Sequence, residues 1–244
     1  MAETKKDGQP FAVFDIDGTV IRWQLYHAIF GALARAGHVT PESFNQVRAA
    51  RMVWKKRASE NSFKEYEQTL IKAHDAAITK IAYADYLAAV QTVFDQYKDQ
   101  TYTYTRDLIG TLKARGYLLF AISASQIEIV KLLADYYDFD DCGGSVYEVK
   151  AGQFTGHNQI LKHNRKPEYL QQLIKKHDAA TAQSIALGDS MSDIPMLEIA
   201  EQPIAFNPDK TLFDHARSRG WQIVIERKNV VYELQSKDGS YVLA

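Results

Sequence analysis

Two aspartates in the stretch FDIDGTV are the residues with the clearest chemical potential, since Asp15 and Asp17 directly follow the apolar residues 10–14. In a strand, side chains two positions apart point to the same side, so both carboxylates can face one ligand. Neighbouring carboxylates repel unless a cation neutralises them, and hard oxygen ligands suit Mg²⁺. Gly18 then allows a sharp turn or a close backbone approach to a ligand. The alternative is structural, with Asp17 capping a helix and Asp15 solvated at a strand end.

Three further stretches place polar groups where apolar runs or helices begin and end. The run ending at Ser123 offers a hydroxyl and backbone N–H groups at a helix start, which form a phosphate seat, although serine is also an ordinary helix cap. Lys166 precedes a predicted helix, where its ammonium either reaches a phosphoryl group or is solvated. Asp189 and Asp193, in LGDSMSD, follow another apolar run. If the strands form one sheet, all these groups converge on one crevice.

Short apolar runs separated by helical patterns predict the elements that position these residues. Runs typical of strands buried on both faces of a parallel sheet occur at 10–14, 117–122, 184–187, 203–206 and 221–225. Helical periodicity occurs at 108–115, 127–137, 167–177, 194–200 and 211–220. This alternation predicts an α/β fold with a doubly wound, Rossmann-like parallel sheet. Ligands of such sheets bind beyond the carboxyl ends of the strands.

Residues 22–100 break this rhythm, because they show helical periodicity and no apolar strand run. We interpret them as an all-helical cap domain inserted after the first strand of an α/β core that comprises residues 10–21 and 101–225. Residues 226–244 contain two strand-like stretches around the turn signal Lys237-Asp238-Gly239, which predicts a C-terminal β-hairpin extension. The pattern leaves open whether this hairpin extends the sheet or forms an interface.

Composition and charge exclude several classes of protein. The formal net charge is -1, whereas a general nucleic-acid binder needs a surplus of Lys and Arg. No stretch approaches the length of a membrane span and the N-terminus lacks the apolar run of a signal peptide, so we expect a cytoplasmic protein without a membrane partner. The single cysteine, Cys142, excludes an internal disulfide. Neither an H-E-x-x-H zinc motif nor a P-loop occurs.

The stretches DIDGT, ISAS, the Lys166 segment and GDSMSD, in this order, resemble the four motifs of the haloacid dehalogenase (HAD) superfamily of phosphohydrolases. The helical insertion after the first motif resembles the type-one cap of that superfamily. Residues 146–156 and 204–208 are similar to segments of its IB subfamily, which contains phosphoserine phosphatase. As a set the four motifs are specific, although each alone is a weak signal.

The resemblance implies a Mg²⁺-dependent phosphomonoesterase that acts on a small phosphorylated metabolite through an aspartyl-phosphate intermediate. Asp15 would be the nucleophile, Asp17 the general acid and base, and Lys166 the cation that offsets the phosphoryl charge. The aspartates that it implies around the metal, with Asp17 acting through its backbone carbonyl, are Asp15, Asp17, Asp189 and Asp193. The residues that it implies around the phosphoryl group are Gly18, Thr19, Ser123, Ala124 and Lys166.

The cap of this superfamily selects the leaving group, so the cap residues give hypotheses about the substrate. Phosphoserine phosphatases carry a glutamate nine residues after the nucleophile that recognises the substrate's amino group. That position is Gln24 here, and its uncharged amide argues against phosphoserine. On a basic stretch, one of Arg48 or Arg51 would meet an anionic part of the substrate. The alternative is that these arginines belong to a solvated helix face.

Two other functions stay open on the sequence. A phosphotransferase that passes the aspartyl-phosphate to an acceptor alcohol would need the same residues. A non-catalytic binding protein on the same fold is the other possibility, and the intact acidic and basic residues of the four motifs count against it. The sequence carries no signal for an oligomeric state.

Overall fold

The computed structural model describes residues 8–59, 62–161, 165–237 and 240–244, which form two compact units. The first is an α/β unit that contains the residues up to Trp23, Tyr97–Ser145 and Ile160–Ala244. The second is mainly helical and contains Gln24–Gln96 and Val146–Gln159. The sequence pattern assigns residues 146–159 to the core domain, whereas here they belong to the helical unit.

The elements alternate along the chain. The strands are β1 (Pro10–Phe14), β2 (Leu118–Gln126), β3 (Asp141–Lys150), β4 (Gln153–Gln159), β5 (Ala180–Gly188), β6 (Gln202–Phe206), β7 (Gln222–Arg227), β8 (Val230–Lys237) and β9 (Ser240–Leu243). The helices are α1 (Leu25–Arg35), α2 (Pro41–Lys55), α3 (Ser62–Ile78), α4 (Tyr83–Tyr97), α5 (Thr103–Ala114), α6 (Ile127–Tyr136), α7 (Lys166–Lys176), α8 (Ile194–Leu197) and α9 (Lys210–Arg219). None of the helices in the described ranges has the length and apolarity needed to cross a membrane.

In the α/β unit the strands lie in the order β3-β2-β1-β5-β6-β7-β8-β9. Neighbours from β3 to β7 pair in parallel, and the last two pairs are antiparallel. The predicted α/β fold with a parallel-dominated sheet is confirmed. The C-terminal hairpin extends this sheet, while Asp238 and Gly239 of its turn signal lie outside the described residues.

Strand β1 lies inside the sheet between β2 and β5, and its apolar residues Phe11–Phe14 are fully buried. Burial of each such large apolar side chain contributes roughly 1.5–3 kcal/mol, which explains why a continuous apolar run forms a central strand. Because β1, β2 and β5 run parallel, their carboxyl ends meet at one edge of the sheet. Asp15, Ser123 and Asp189 are all at that edge.

The predicted helix over 194–200 is shorter in the structure. A 3-10 turn at Met191–Asp193 precedes α8, which ends at Leu197. Ser190 and Asp193 form a reciprocal capping box around this turn, so the Asp193 side chain is held against the backbone that follows β5. The last helix, α9, ends at Arg219 and is followed by Gly220 in the predicted stop position, where its φ of 69° is in the left-handed region that favours glycine.

The helical unit contains α1 to α3, nearly all of α4, and a hairpin made by the second half of β3 and β4. Thr40 caps α2 by accepting a hydrogen bond from the Ser43 N–H (3.3 Å). Phe154 of the hairpin packs edge-on against Tyr86 of α4, with ring centroids 5.0 Å apart. The apolar pattern does not predict β4, because Phe154 is its only buried side chain. It does not predict β3 either, which begins with the small or polar residues DCGG.

Candidate active site

Three of the predicted aspartates converge at the carboxyl edge of the sheet. Asp15 follows β1, Asp189 follows β5, and Asp193 closes the 3-10 turn. One carboxylate oxygen from each lies within 4.8 Å of the others. The Asp15 N–H donates to the Leu187 carbonyl (3.0 Å), which ties the ends of β1 and β5 together. Residues up to 178 positions apart in the sequence thus form one acidic cluster.

A buried lysine lies in this cluster. Lys166 is the first residue of α7 and is 2% exposed. Its Nζ donates to Asp15 Oδ1 at 2.7 Å and to Asp193 Oδ1 at 2.6 Å. The solvated-lysine alternative is therefore wrong for Lys166, since both carboxylate partners are buried with it.

The electrostatics of the cluster favour additional positive charge. The pKa of Asp15 is raised to about 8, chiefly by burial, against the lowering influence of Lys166 and with smaller contributions from the charges of Asp193 and Asp17. Burial, followed by the charges of Asp15 and Asp193, holds the pKa of Asp189 well above its usual range. Burial alone disfavours the Lys166 ammonium, yet its two carboxylate partners raise its pKa. When the three carboxylates are ionised, one ammonium does not balance their charge, and a divalent cation would neutralise the excess.

The donor set fits Mg²⁺, because it consists of hard carboxylate oxygens. The aspartates are not equivalent, however. Asp193 Oδ2 accepts from the Asp189 N–H (3.2 Å), the Ser190 N–H (3.0 Å) and the Ser190 hydroxyl (3.0 Å), while Oδ1 accepts from Lys166. Both oxygens of Asp193 therefore hold protein groups in place. Asp15 and Asp189 are the carboxylates better suited to contact a metal directly.

Gly18 lies against this acidic cluster with φ +85°. A Cβ at this position would lie 2.1 Å from Asp189 Oδ2. The Gly18 N–H donates to the Ile21 carbonyl (2.9 Å) and the Thr19 N–H to the Ile16 carbonyl (3.3 Å), so both predicted phosphate donors are engaged within this turn. The Thr19 hydroxyl is fully buried and has no hydrogen-bond partner within the described ranges.

Replacing Gly18 by alanine is expected to weaken metal binding at least tenfold, because the new Cβ displaces the Asp189 carboxylate and perturbing a ligand's support typically costs about 10–100-fold in metal affinity. Calorimetric titration with Mg²⁺ measures this. The matched control is Gly116→Ala, since Gly116 has φ +78° with nothing within 4 Å of its added Cβ. Equal Mg²⁺ affinities in the two variants would contradict the expectation, because the variants share only the backbone strain.

Asp17 and Ser123 are joined directly. The Ser123 hydroxyl donates to Asp17 Oδ2 at 2.6 Å and accepts from the Ser125 N–H at 2.9 Å. The helix predicted over 127–137 begins at Ile127 as α6, but the backbone directly after Ser123 is not a helix start, since β2 continues to Gln126. The β2–β3 pairing shifts register between Ile122 and Gln126, which leaves the intervening residues in an irregular strand. Ala124 is exposed there.

The sequence patterns do not identify Ser145, which the structure places behind this irregular strand. Its fully buried hydroxyl donates to the Ala124 carbonyl (2.6 Å) and accepts from the Leu161 N–H (3.0 Å). The one available signal is the preceding pair of glycines, because a Cβ on Gly144 would lie 2.8 Å from the Ile127 Cα. Such glycines indicate close backbone approach in a strand.

The predicted substrate residues Gln24, Arg48 and Arg51 all belong to the helical unit. Gln24 is partly exposed at the start of α1, Arg48 is exposed on α2, and Arg51 is partly buried on the same helix. Their contact with a substrate stays a prediction.

A second feature that the sequence patterns do not identify is a histidine–tyrosine pair inside the helical unit. His27 Nδ1 lies 2.5 Å from the Tyr66 hydroxyl, and Tyr66 stacks on Trp54 with ring centroids 5.3 Å apart. Burial, followed by the positive charges of Arg51 and Lys55, lowers the pKa of His27 to about 4. His27 is therefore neutral in the folded protein at pH 7.

Protonation of His27 is expected to destabilise the protein in mild acid. The folded pKa is about 4 against an ordinary value of 6.5, so the stabilisation is complete above pH 6.5 and is lost as the pH falls towards 4. In His27→Gln, the urea midpoint should fall less over this range than in the wild type. The control is His157→Gln, which removes an exposed histidine of β4. Parallel pH profiles for wild type and His27→Gln would disprove this role.

The sequence that forms this site matches a known protein family. Residues 12–198 match the family model of haloacid dehalogenase-like hydrolases. A phosphoserine phosphatase of Mycobacterium tuberculosis (strain H37Rv) is 29% identical over 143 residues, which cover 57% of this chain and 46% of that protein. The chain thus spans about half the length of the curated relatives it matches first.

Solved structures show the same fold. A protein of unknown function from Bordetella pertussis Tohama I matches with a TM-score of 0.71 at 20% identity, covering 90% of this chain and 99% of that one. A phospho-aspartyl intermediate analogue of phosphoserine phosphatase matches with a TM-score of 0.62 at 22% identity, covering 91% and 95%. The family resemblance drawn from the four motifs is confirmed. The chain belongs to the haloacid dehalogenase-like hydrolase family.

Proposed function

We propose that this protein is a Mg²⁺-dependent phosphomonoesterase that hydrolyses a small phosphorylated metabolite through an aspartyl-phosphate intermediate. The observation that carries the proposal is the buried Lys166 ammonium, which bridges Asp15 and Asp193 beside a third carboxylate. A carboxylate paired with a lysine and placed next to a cation site suits nucleophilic attack on phosphorus. Family membership supports the same reaction class.

The proposed reaction has two displacements at phosphorus. Asp15 attacks the phosphorus atom, the bond to the ester oxygen breaks, and Asp17 gives its proton to the departing alcohol. Asp17 then takes a proton from water, which attacks the aspartyl-phosphate and releases inorganic phosphate. Asp15 returns to its starting state as a carboxylate. Throughout, the Lys166 ammonium offsets negative charge on the phosphoryl oxygens.

Asp15, Asp189 and the backbone carbonyl of Asp17 would hold the metal, and Asp193 would keep the Asp189 loop and Lys166 in place. Bound Mg²⁺ would neutralise phosphate charge and orient the phosphoryl group. Phosphate contacts from Thr19, Ser123 and Ala124 stay predictions.

The substrate class is inferred from the curated relatives and from one residue of the helical unit. Curated relatives include proteins named phosphoserine phosphatase, which supports a small phosphomonoester as substrate. Gln24 replaces the glutamate that would pair with an amino group, so we propose a phosphomonoester other than phosphoserine. One of Arg48 or Arg51 is proposed to meet an anionic part of that substrate. The cytoplasmic location stays a prediction from the sequence.

The test is phosphate release from a panel of small phosphorylated metabolites with Mg²⁺ and then with excess EDTA. We expect turnover with Mg²⁺ and none with EDTA. Adding acceptor alcohols separates the two phosphoenzyme reactions, since transfer would form new phosphate esters at the expense of inorganic phosphate. Absence of turnover across the panel, in a protein with an intact circular dichroism spectrum, would reject the phosphatase.

A further inference from the structure

Ser145 is a fully buried polar residue that the proposed reaction does not use. It lies in the part of β3 that pairs with β2 in the α/β unit, where it is the pairing partner of Gln126. Its Oγ is 2.6 Å from the Ala124 carbonyl oxygen and 3.0 Å from the Leu161 nitrogen. The hydroxyl thus connects the irregular end of β2 to the chain that follows β4.

The directions of these hydrogen bonds follow from which groups can donate. The Leu161 N–H can only donate, so Ser145 Oγ accepts there and its own proton points to the Ala124 carbonyl. The peptide of that carbonyl ends in the Ser125 N–H, which donates to Ser123 Oγ at 2.9 Å. The Ser123 proton is then directed to Asp17 Oδ2 at 2.6 Å.

The result is a directed chain of hydrogen bonds that ends on one oxygen of Asp17. Its serines are deeply buried, with Ser145 and Ser123 at 0% and Ser125 at 3% exposure. Buried hydrogen bonds of this kind are mutually reinforcing and hold side chains in one arrangement. The chain therefore fixes the Ser123 hydroxyl, and that hydroxyl fixes the orientation of the Asp17 carboxyl group.

We propose that Ser145 is a positioning residue for Asp17, acting through the Ala124–Ser125 peptide and Ser123. The inference rests on the proposed function, in which Asp17 transfers a proton to the leaving oxygen. A general acid helps only when its proton-bearing oxygen is within hydrogen-bond reach of that oxygen. Loss of the Ser145 hydroxyl frees the peptide to shift, and the shift passes to Asp17.

This role has a signature that a purely structural role lacks. Phenolate is a much stronger base than p-nitrophenolate, so departure of phenol from phosphorus depends more on proton donation. Phenyl phosphate and p-nitrophenyl phosphate have similar sizes and carry the same phosphoryl group. Misplacement of Asp17 lowers kcat/KM for phenyl phosphate more than for p-nitrophenyl phosphate. A damaged fold or weaker phosphate binding lowers kcat/KM for both esters by the same factor.

The experiment measures kcat/KM for both esters with saturating Mg²⁺ in wild type and Ser145→Ala. We expect phenyl phosphate to lose about tenfold more than p-nitrophenyl phosphate, a fraction of the roughly 10²–10⁴ that a general acid contributes. Should Ser145→Ala not fold, Ser145→Cys retains the size and a weak donor, and it should change the ratio in the same direction.

Ser184→Ala is the matched control. Ser184 is equally buried in the same unit, and its hydroxyl also donates to a backbone carbonyl (Thr181, 2.5 Å) and accepts from a backbone N–H (Glu201, 3.0 Å). Ser184 lies in β5, four residues before Gly188 at the strand's carboxyl end. We therefore expect the ratio of the two kcat/KM values in Ser184→Ala to stay within about twofold of the wild-type ratio.

Three outcomes decide the matter. A selective loss on phenyl phosphate in Ser145→Ala, absent in Ser184→Ala, supports the positioning role. Equal losses on the two esters, or a shifted ratio in the control as well, overturn it while wild-type turnover still supports the phosphatase. A wild type that hydrolyses neither ester and no member of the metabolite panel removes the proposed function, and this inference is then rejected with it.

Discussion

Asp15→Asn is expected to abolish phosphate release and phosphoenzyme formation while the protein stays folded. An amide cannot attack phosphorus, and removal of a covalent nucleophile costs on the order of 10⁴- to 10⁶-fold in turnover. The fold should tolerate the change, because Asn has nearly the same shape and Lys166 keeps its contact with Asp193 (2.6 Å). The removed carboxylate is also one that burial and its acidic neighbours disfavour in the ionised form.

The pH dependence of stability gives a separate readout of this substitution. The pKa of Asp15 is raised from 3.8 to about 8, so in the metal-free protein its contribution to stability is present below pH 3.8 and is lost as the pH rises through 8. In EDTA, Asp15→Asn should therefore lose less Tm than the wild type between these pH values. If the Tm of the wild type did not change between these pH values, the raised pKa of Asp15 would be contradicted.

Kinetics for Asp15→Asn use a steady-state phosphate assay and a rapid quench of radiolabelled substrate. The control is Asp107→Asn, because Asp107 is an exposed aspartate of α5 in the same unit, with 61% of its side chain accessible. We expect wild-type turnover in the control. Wild-type turnover in Asp15→Asn itself would reject Asp15 as nucleophile and leave the acidic cluster as a metal or binding site.

Lys166→Met is expected to have the largest effect on stability and to lower turnover by about 10³-fold, the upper end of the range for losing one charge-stabilising donor. Methionine fills a similar volume without the charge. The buried carboxylates of Asp15 and Asp193 then lose their shared ammonium, 2.7 and 2.6 Å away. Breaking a buried ion pair on one side typically costs about 3–5 kcal/mol. Urea denaturation in EDTA at pH 9, above the Asp15 pKa of about 8, measures this loss.

Two comparisons identify the cause of that loss. Lys176→Met removes an exposed lysine from the other end of α7, where the side chain is 66% accessible and contacts Asp141, so its urea midpoint should stay close to that of the wild type. Adding Asp15→Asn to Lys166→Met should restore part of the stability, because it removes one unpaired buried carboxylate. If the double variant were less stable than Lys166→Met, packing rather than charge would explain the effect.

The sequence alone determined the fold class and the edge of the sheet where the motifs meet. Strand β1 begins and ends where the apolar run PFAVF does, because a strand whose two faces are both buried favours apolar side chains at every position. Parallel strands then bring their carboxyl ends together, so residues placed after apolar runs meet without further information. Asp15 and Asp189 follow this rule, since both come directly after buried strands.

Only the tertiary structure decided which atom of each residue meets which partner. Lys166 and Asp15 are 151 residues apart, and no local pattern distinguishes a buried bridging lysine from a solvated one at a helix start. The same holds for Asp193, whose oxygens accept hydrogen bonds from backbone N–H groups and from Lys166. Ser145 acquires its role only when β3 pairs beside β2. Hydrogen-bond direction depends on competing donors from distant segments, which periodicity and composition do not encode.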